Sequence, residues 1–132
     1  FVASVSAGND DVVIDDGEIR EHAWRGPGEM LELHAAGEVS LTPPTFITLT
    51  QLLGFTSSSD VVEADRAVEH FATRITVVGE SVIAMYHGDP GYESGDPGSA
   101  GPLTGPLTDG PLHRLVMGQK WTYLRQTPMP DV

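Results

Sequence analysis

The sequence has 132 residues and no cysteine, so disulfides and thiolate metal sites are excluded. Basic residues are scarce as well: seven Lys and Arg stand against nineteen Asp and Glu, for a formal net charge of -12. Binding to nucleic acids or anionic membranes relies on Lys and Arg, so we expect neither as a partner. The absence of cysteine is compatible with a reducing compartment, and we expect a cytoplasmic protein.

Long apolar runs and enzyme signatures are also missing. No apolar stretch approaches the ~20 residues that span a bilayer. The chain contains no Gly-x-Ser-x-Gly turn, no Gly-x-x-x-x-Gly-Lys phosphate loop and no Gly-x-Gly-x-x-Gly fingerprint. Its five histidines never fall at His-x-x-x-His spacing, so a helical zinc pair is unsupported. An EF-hand loop with Gly17 as its central glycine is excluded, because Ile14 and Val12 occupy two of the ligand positions before it. From the residues alone, the chain carries no recognisable catalytic centre.

Alternation of apolar and polar residues predicts two strands in the first part of the chain. One covers residues 1–7 (FVASVSA), and the other covers residues 18–25 (EIREHAWR). The sequence opens abruptly on the apolar residues of the first strand, with no cap or turn residue before Phe1. We therefore expect the chain to be a fragment whose natural N-terminal part is missing or belongs to another chain.

Three helices are predicted from their start and stop signals. Pro27 suits the first turn of a helix that Gly37 closes, and Glu29 lies near the positive end of its dipole. The second predicted helix is capped by Thr42, starts at Pro43-Pro44 and ends at Gly54. The third is capped by Asp60, in a capping-box-like pattern with Glu63, and runs to about Ala72.

Strand periodicity returns in the last part of the sequence. It predicts a hairpin or a bulged strand over residues 74–87. It also predicts a hairpin over residues 112–125, with Gly118 at the first position of a type II′ turn. Residues 88–111 contain seven Gly and five Pro, with the string GDPG at 88 and again at 95. Such composition predicts a low-complexity loop that buries too little to order itself.

Residues 18–53 carry three short patterns: Glu-Ile-x-Glu-x-x-Trp from Glu18, Pro-x-Glu-Met-Leu from Pro27, and Gly-Glu-x-x-Leu-x-Pro-Pro-Thr from Gly37. Together they resemble the C-terminal half of a Nudix hydrolase, in the branch that includes coenzyme A diphosphatase-like enzymes. The resemblance implies an α/β fold, namely part of a Nudix-type α/β/α sandwich with a mixed sheet. Residues 1–73 would form the Nudix-like half domain, and residues 74–132 a C-terminal β-hairpin extension.

The resemblance also implies a function: hydrolysis of a diphosphate linkage in a nucleotide or coenzyme A derivative, with Mg²⁺ or Mn²⁺. The family's Glu-rich signature helix, which holds the metal, is absent from this sequence, since Arg20-Glu21 lacks the flanking acids. We therefore expect the metal to be bound outside this chain, by the N-terminal part of the same protein or by a second chain. A homodimer is a further expectation. One alternative is a non-catalytic Nudix-like module for protein interaction, and another is an unrelated acidic α/β scaffold protein.

Catalytic candidates come from the acidic loop that precedes the second predicted strand. Some Nudix enzymes take a general base from a loop beyond the signature helix, and a carboxylate there can activate water near a metal. By this resemblance the candidates are Asp16 and Glu18, within the acidic set Asp10, Asp11, Asp15, Asp16 and Glu18. The alternative, which we favour, is an exposed loop made soluble by its charge. No residue of this chain is expected to bind a metal or cofactor.

Overall fold

The computed structural model describes residues 3–6, 8, 11–100 and 110–126, without the side chains of residues 99 and 100. The chain divides into two compact units, Phe1–Ala67 and Val68–Val132. It is a mixed α/β protein with three short helices and a four-stranded antiparallel sheet. The helices are α1 (Pro27–Ala35), α2 (Pro43–Leu52) and α3 (Ser58–Glu63), and the strands are β1 (Arg74–Val78), β2 (Ser81–Met85), β3 (His113–Met117) and β4 (Trp121–Arg125).

Helices α1 and α2 confirm the predicted starts at proline and ends near glycine. Each begins with proline after an extended residue, because proline lacks the N–H that a first helical turn leaves unpaired. Thr42 occupies the cap position of α2 but makes no side-chain capping bond, since its Oγ1 pairs with Thr45 Oγ1 at 3.0 Å. Gly37 follows α1 with a φ of 76°, the left-handed conformation expected of a closing glycine. The two helices contact each other, and among the described residues of this unit the buried apolar ones are Phe46 and Ile47 of α2.

The third helix differs from its prediction. Ser57, and not Asp60, is the cap: its Oγ accepts a hydrogen bond from the backbone N–H of Asp60 at 3.2 Å. The Asp60 carboxylate instead accepts a bond from the Thr56 hydroxyl at 2.7 Å. The helix ends at Glu63, and residues 64–73 are not helical. A short helix with no buried residue lacks the packing that would extend it.

The two strands predicted in the first unit are wrong for the residues described. Residues 3–6 and 18–25 form no strand and are exposed, while Phe1, Val2 and Ala7 lie outside the described residues. A strand persists only where a neighbour bonds its N–H and C=O groups. Within the described part of this unit neither segment has such a neighbour.

Both predicted hairpins are confirmed, but the turn type predicted for the second is wrong. Val78 pairs with Ser81 across Gly79-Glu80, and Gly79 has a φ of 60° whereas Glu80 does not have a positive φ. These are the φ signs of a type II′ turn. In the second hairpin Met117 pairs with Trp121, which leaves three residues in the loop, and Gly118 has no positive φ. The predicted type II′ turn at Gly118 is therefore wrong.

The sheet is a meander with the order β1-β2-β3-β4, antiparallel throughout, whereas the resemblance implied a mixed sheet. The Nudix-type sandwich and the domain boundary at residues 73/74 stay predictions. Ile83 and Leu115, in the two central strands, are completely buried and centre the core of the second unit. Across the described ranges, no helix has the length and apolar character to cross a membrane.

Part of the predicted low-complexity loop is ordered. Residues 88–100 form successive turns and a short 3-10 helix, Pro97–Ala100, and bury Asp89, Gly91 and Pro97. The prediction failed because one buried ion pair, described below, anchors this segment to β3. Residues 101–109 lie outside the described residues.

Candidate functional site

The first unit contains an open apolar cleft with a volume of about 500 Å³. Its walls come from the segments before α1, from the first residue of α1, and from the end of α2 with the link to α3 and α3 itself. The lining residues are Ala3, Ser4, Val5, Trp24, Pro27, Leu52, Phe55, Thr56, Ser57, Ser58, Val61 and Val62.

Large apolar side chains around this cleft are exposed. Trp24 is 61% exposed, Val5 56% and Val62 47%. None of the lining residues is charged, in a chain whose net charge is -12. Exposed apolar surface that is rimmed by polar residues is typical of an interaction site. The cleft therefore suits an apolar surface better than a charged or metal-bound ligand.

The hydroxyl groups at one end of the cleft have structural roles. Thr56 donates to the Asp60 carboxylate, and Ser57 caps α3. These hydroxyl bonds hold the pKa of Asp60 below its usual value, because they stabilise the charged carboxylate. Neither hydroxyl has a histidine base among the described hydrogen bonds, so the structure gives no basis for nucleophilic catalysis at this end.

The catalytic candidates Asp16 and Glu18 lie on an exposed turn. Asp16 has a φ of 56°, a left-handed conformation that Asp tolerates better than most residues. Asp15 shapes the turn by accepting a hydrogen bond from the Gly17 N–H at 3.0 Å. Asp11, Asp15, Asp16 and Glu18 are all exposed, and Asp10 lies outside the described residues. In the described part of the chain, no group of three or more His, Asp or Glu residues could hold a metal ion.

A fully buried ion pair organises the second unit. The side chains of Asp89 and Arg114 are both 0% exposed. Arg114 Nε donates to Asp89 Oδ2 at 2.7 Å, its Nη2 donates to Oδ1, and its Nη1 donates to the Pro97 carbonyl at 2.9 Å. Asp89 also accepts from the backbone N–H groups of His113 and Gly91, each at 2.9 Å. Every oxygen is thus engaged, which indicates a structural pair.

His113 lies beside this ion pair within a cluster of aromatic rings. Its Nδ1 is 3.1 Å from the His87 carbonyl, which can only accept, so Nδ1 carries the proton. Nε2 then accepts from the Tyr123 hydroxyl at 2.9 Å. Burial lowers the pKa of His113, and the bond to the His87 carbonyl opposes that shift. The neutral imidazole is therefore fixed in one tautomer.

Arg125 and Glu69 form a two-bond ion pair near His113. Arg125 Nη1 donates to Glu69 Oε2 at 2.7 Å, and Nη2 donates to Oε1. The paired guanidinium lowers the pKa of Glu69, and the carboxylate raises that of Arg125. Both side chains remain about two-fifths exposed (42% and 40%), so solvent screens most of this attraction.

Sequence reasoning missed Asp89 and Arg114, although one signal pointed to the first. Asp-Pro-Gly is a turn sequence in which the Asp side chain bonds the backbone two residues later. Both GDPG copies do this: Asp89 accepts from Gly91 at 2.9 Å, and Asp96 accepts from Gly98 at 2.8 Å. Only the first copy also carries a buried ion pair, and nothing in the local sequence distinguishes the two.

No family model, curated protein or solved structure matches this chain. The Nudix relationship therefore rests on the residue patterns of 18–53 and stays a prediction. The apolar cleft is the feature of the described residues with the clearest capacity to bind a partner.

Proposed function

We propose that the first unit is a polypeptide-binding module, whose apolar cleft receives a segment from the N-terminal part of the same protein or from a second chain. One observation carries this proposal. Val5 and Trp24, which line the cleft, belong to the two segments that alternate like strands but have no strand neighbour in the described part of their unit.

An extended partner segment would pair with the backbone of residues 18–25 and would also cover the apolar side chains of the cleft. Pairing with residues 18–25 would bond their backbone N–H and C=O groups, as when a peptide adds a strand to a sheet edge. Every second side chain of the partner would then point to the same side, where the cleft lies within reach. Full burial of a large apolar side chain is worth about 1.5–3 kcal/mol. Trp24 is 61% exposed and Val5 56%, so burial of the exposed part of each offsets part of the cost of association.

The segment that leads to Trp24 is acidic, and its charge indicates the chemistry of the partner. The exposed acidic residues precede Trp24 in the chain: Asp11, Asp15, Asp16, Glu18 and Glu21. Opposite charge on a partner speeds its association and selects against acidic segments. We therefore propose a partner segment that alternates apolar residues with Lys or Arg.

The Nudix resemblance supports a second candidate function, diphosphate hydrolysis by the completed assembly. Helix α1 forms where the resemblance implies a Pro-started helix, which supports this candidate over an unrelated scaffold. In that assembly Mg²⁺ or Mn²⁺ would be held by residues outside this chain, and a nucleotide or coenzyme A derivative would be the substrate. Asp16 or Glu18 would supply a carboxylate near the attacking water.

Binding is tested with the polypeptide encoded immediately upstream of the codon for Phe1, and with a displayed library of extended peptides for a separate chain. Trp24 reports on the cleft in a Trp121→Phe background, which leaves it as the only tryptophan. Binding should shift Trp24 emission to the blue and protect the amides of residues 18–25 from hydrogen exchange. Val62→Lys should abolish both changes, because it places a charge in the cleft wall.

The matched control is Val68→Lys, an exposed valine outside the cleft and in the second unit. It should bind like the parent. Ligands that leave Trp24 emission unchanged, or that bind the Val62→Lys variant equally well, would refute the cleft as the site. The hydrolase candidate needs a further measurement: metal-dependent cleavage of nucleotides or coenzyme A by the assembly, reduced by Asp16→Asn or Glu18→Gln.

A further inference from the structure

Strand β1 is an outer strand of the sheet, and its apolar side chains are exposed. Ile75 is 65% exposed and Val77 67%. Both side chains point to the same face, because alternate residues of a strand share a face. On the inner side β1 pairs with β2, and among the described strands none pairs with its outer side.

The same two residues present the unpaired backbone groups of this edge. Tyr86 N–H bonds the His113 carbonyl, so the even-numbered residues of β2 direct their backbone toward β3. The odd-numbered residues of β2 therefore bond β1, through their partners Arg74, Thr76 and Val78. The N–H and C=O groups of Ile75 and Val77 point outward, and no described hydrogen bond reaches them.

We propose that β1 pairs with β1 of a second copy of this chain, antiparallel and about a two-fold axis at Thr76. This register places Ile75 opposite Val77 of the second copy, and Thr76 opposite its own counterpart. Ile75 and Val77 of each copy then use all their outward N–H and C=O groups. A two-fold axis perpendicular to the sheet joins the two sheets into one of eight strands.

The side chains agree with this register. The two-fold axis keeps Ile75 and Val77 of both copies on one face, where β-branched cross-strand pairs are favourable. On the other face Arg74 lies opposite Val78 of the second copy, and Glu80 follows Val78 by two residues in the Gly79-Glu80 turn. The Arg74 guanidinium, whose Nη1 donates to the Glu93 carbonyl at 2.9 Å, therefore lies toward the end of the second copy's strand that is followed by an acidic residue, and the two-fold axis repeats this arrangement. A strand edge that is self-complementary in hydrogen bonding and charge favours a second copy over an unrelated peptide.

The net charge of the chain opposes self-association only weakly at this surface. The second unit, which carries β1, contains seven of the nineteen acidic residues and four of the seven basic ones. Most of the net charge of -12 therefore belongs to the first unit. Surface charges more than about 8–10 Å away are largely screened at physiological salt.

The register is tested with Thr76→Cys, which introduces the only thiol of a chain without cysteine. Residues that face each other without hydrogen bonds have Cβ atoms about 4.5 Å apart, close enough for a disulfide after a small shift. With oxidised glutathione, Thr76→Cys should form a covalent dimer in high yield. Val68→Cys, at an exposed position outside the strand, should remain largely monomeric. Equal yields for the two variants would overturn the proposed pairing.

The interface is tested independently by analytical ultracentrifugation of the parent and Val77→Lys. The parent should sediment as a dimer at micromolar concentrations, and Val77→Lys should raise its dissociation constant at least roughly tenfold. Because Val77 is mostly exposed, the variant should keep the far-UV circular dichroism of the parent, and Val68→Lys should remain a dimer. A monomeric parent, or a Val77→Lys variant that dimerises like the parent, would overturn the proposal.

Discussion

Removal of the Asp89 carboxylate should unfold or nearly unfold the second unit. In Asp89→Ala the guanidinium of Arg114 stays fully buried but loses its counter-ion and two of its three hydrogen bonds. Breaking a buried ion pair from one side costs about 3–5 kcal/mol. The N–H groups of His113 and Gly91 lose an acceptor in the same variant. Because domains are stable by only about 5–15 kcal/mol, little stability remains.

Urea unfolding measures this loss in a Trp24→Phe background, where the fluorescence of Trp121 reports on β4. With an m-value of about 1–3 kcal/mol per molar urea, the midpoint should fall by at least about 1 M, or the folded baseline should vanish. Asp96→Ala is the matched control, since Asp96 occupies the equivalent exposed position of the second GDPG copy. Because Asp96 is exposed, loss of its carboxylate, which accepts from the Gly98 N–H, should cost about 1 kcal/mol per hydrogen bond. Equal midpoints for Asp89→Ala and Asp96→Ala would refute the reasoning.

A double variant separates the buried charge from a general loss of packing. Arg114→Met in the Asp89→Ala background removes the unpaired guanidinium and keeps an apolar side chain of similar length. Replacement of both members of a buried pair is often neutral, so the double variant should be more stable than Asp89→Ala by about 2 kcal/mol or more. If the losses of stability in the single variants Asp89→Ala and Arg114→Met simply add in the double variant, the buried unpaired charge is not the cause of the loss in Asp89→Ala.

Three further predictions concern single positions. Gly91→Ala should cost about 1–3 kcal/mol, measured by the urea midpoint, because its Cβ would lie 2.5 Å from the Asp96 carbonyl oxygen. Ser57→Ala should lower the stability of α3 by about 1 kcal/mol, measured as loss of amide protection in residues 60–63. The pKa of His113 is lowered by folding, so its stabilising contribution is complete above the unfolded pKa of about 6.5 and is lost as pH falls through the folded value. The urea midpoint should therefore decrease as the pH is lowered from 7 to 5, and His113→Gln should weaken this dependence on pH. An unchanged dependence would contradict its assignment to His113.

Local signals predicted the elements whose formation depends on nearby residues. Pro27 and Pro43 set the starts of α1 and α2 because proline restricts its own φ and needs no partner for an N–H. The hairpin at Gly79 depends on a two-residue turn and on two strands that are adjacent in the sequence. In each case the physical cause lies within a few residues of the signal.

Other features depend on residues far apart in the sequence, and local patterns could not identify them. Asp89 and Arg114 are 25 residues apart, and their pairing orders a loop whose composition predicted disorder. The prediction of Asp60 as the cap of α3 failed for a different reason, since Ser57 and Asp60 are both residue types that are preferred at a cap position. The apolar cleft was missed because its walls come from three separate segments.

Alternation, finally, is a conditional signal, and the two units show both outcomes. Residues 74–78 found a partner strand through the Gly79-Glu80 turn, while residues 18–25 alternate as clearly but have no partner in the described part of their unit. The two proposed surfaces should therefore respond differently to binding. Residues 18–25 should gain hydrogen-exchange protection along the whole segment, since they fold on association. Strand β1 is already formed, so dimerisation should add protection only at the outward amides of Ile75 and Val77. Thr76 pairs with Ile83 of β2, so its amide should be protected equally in the monomer and the dimer. If protection of the Thr76 amide instead depended on dimerisation, β1 itself would fold on association.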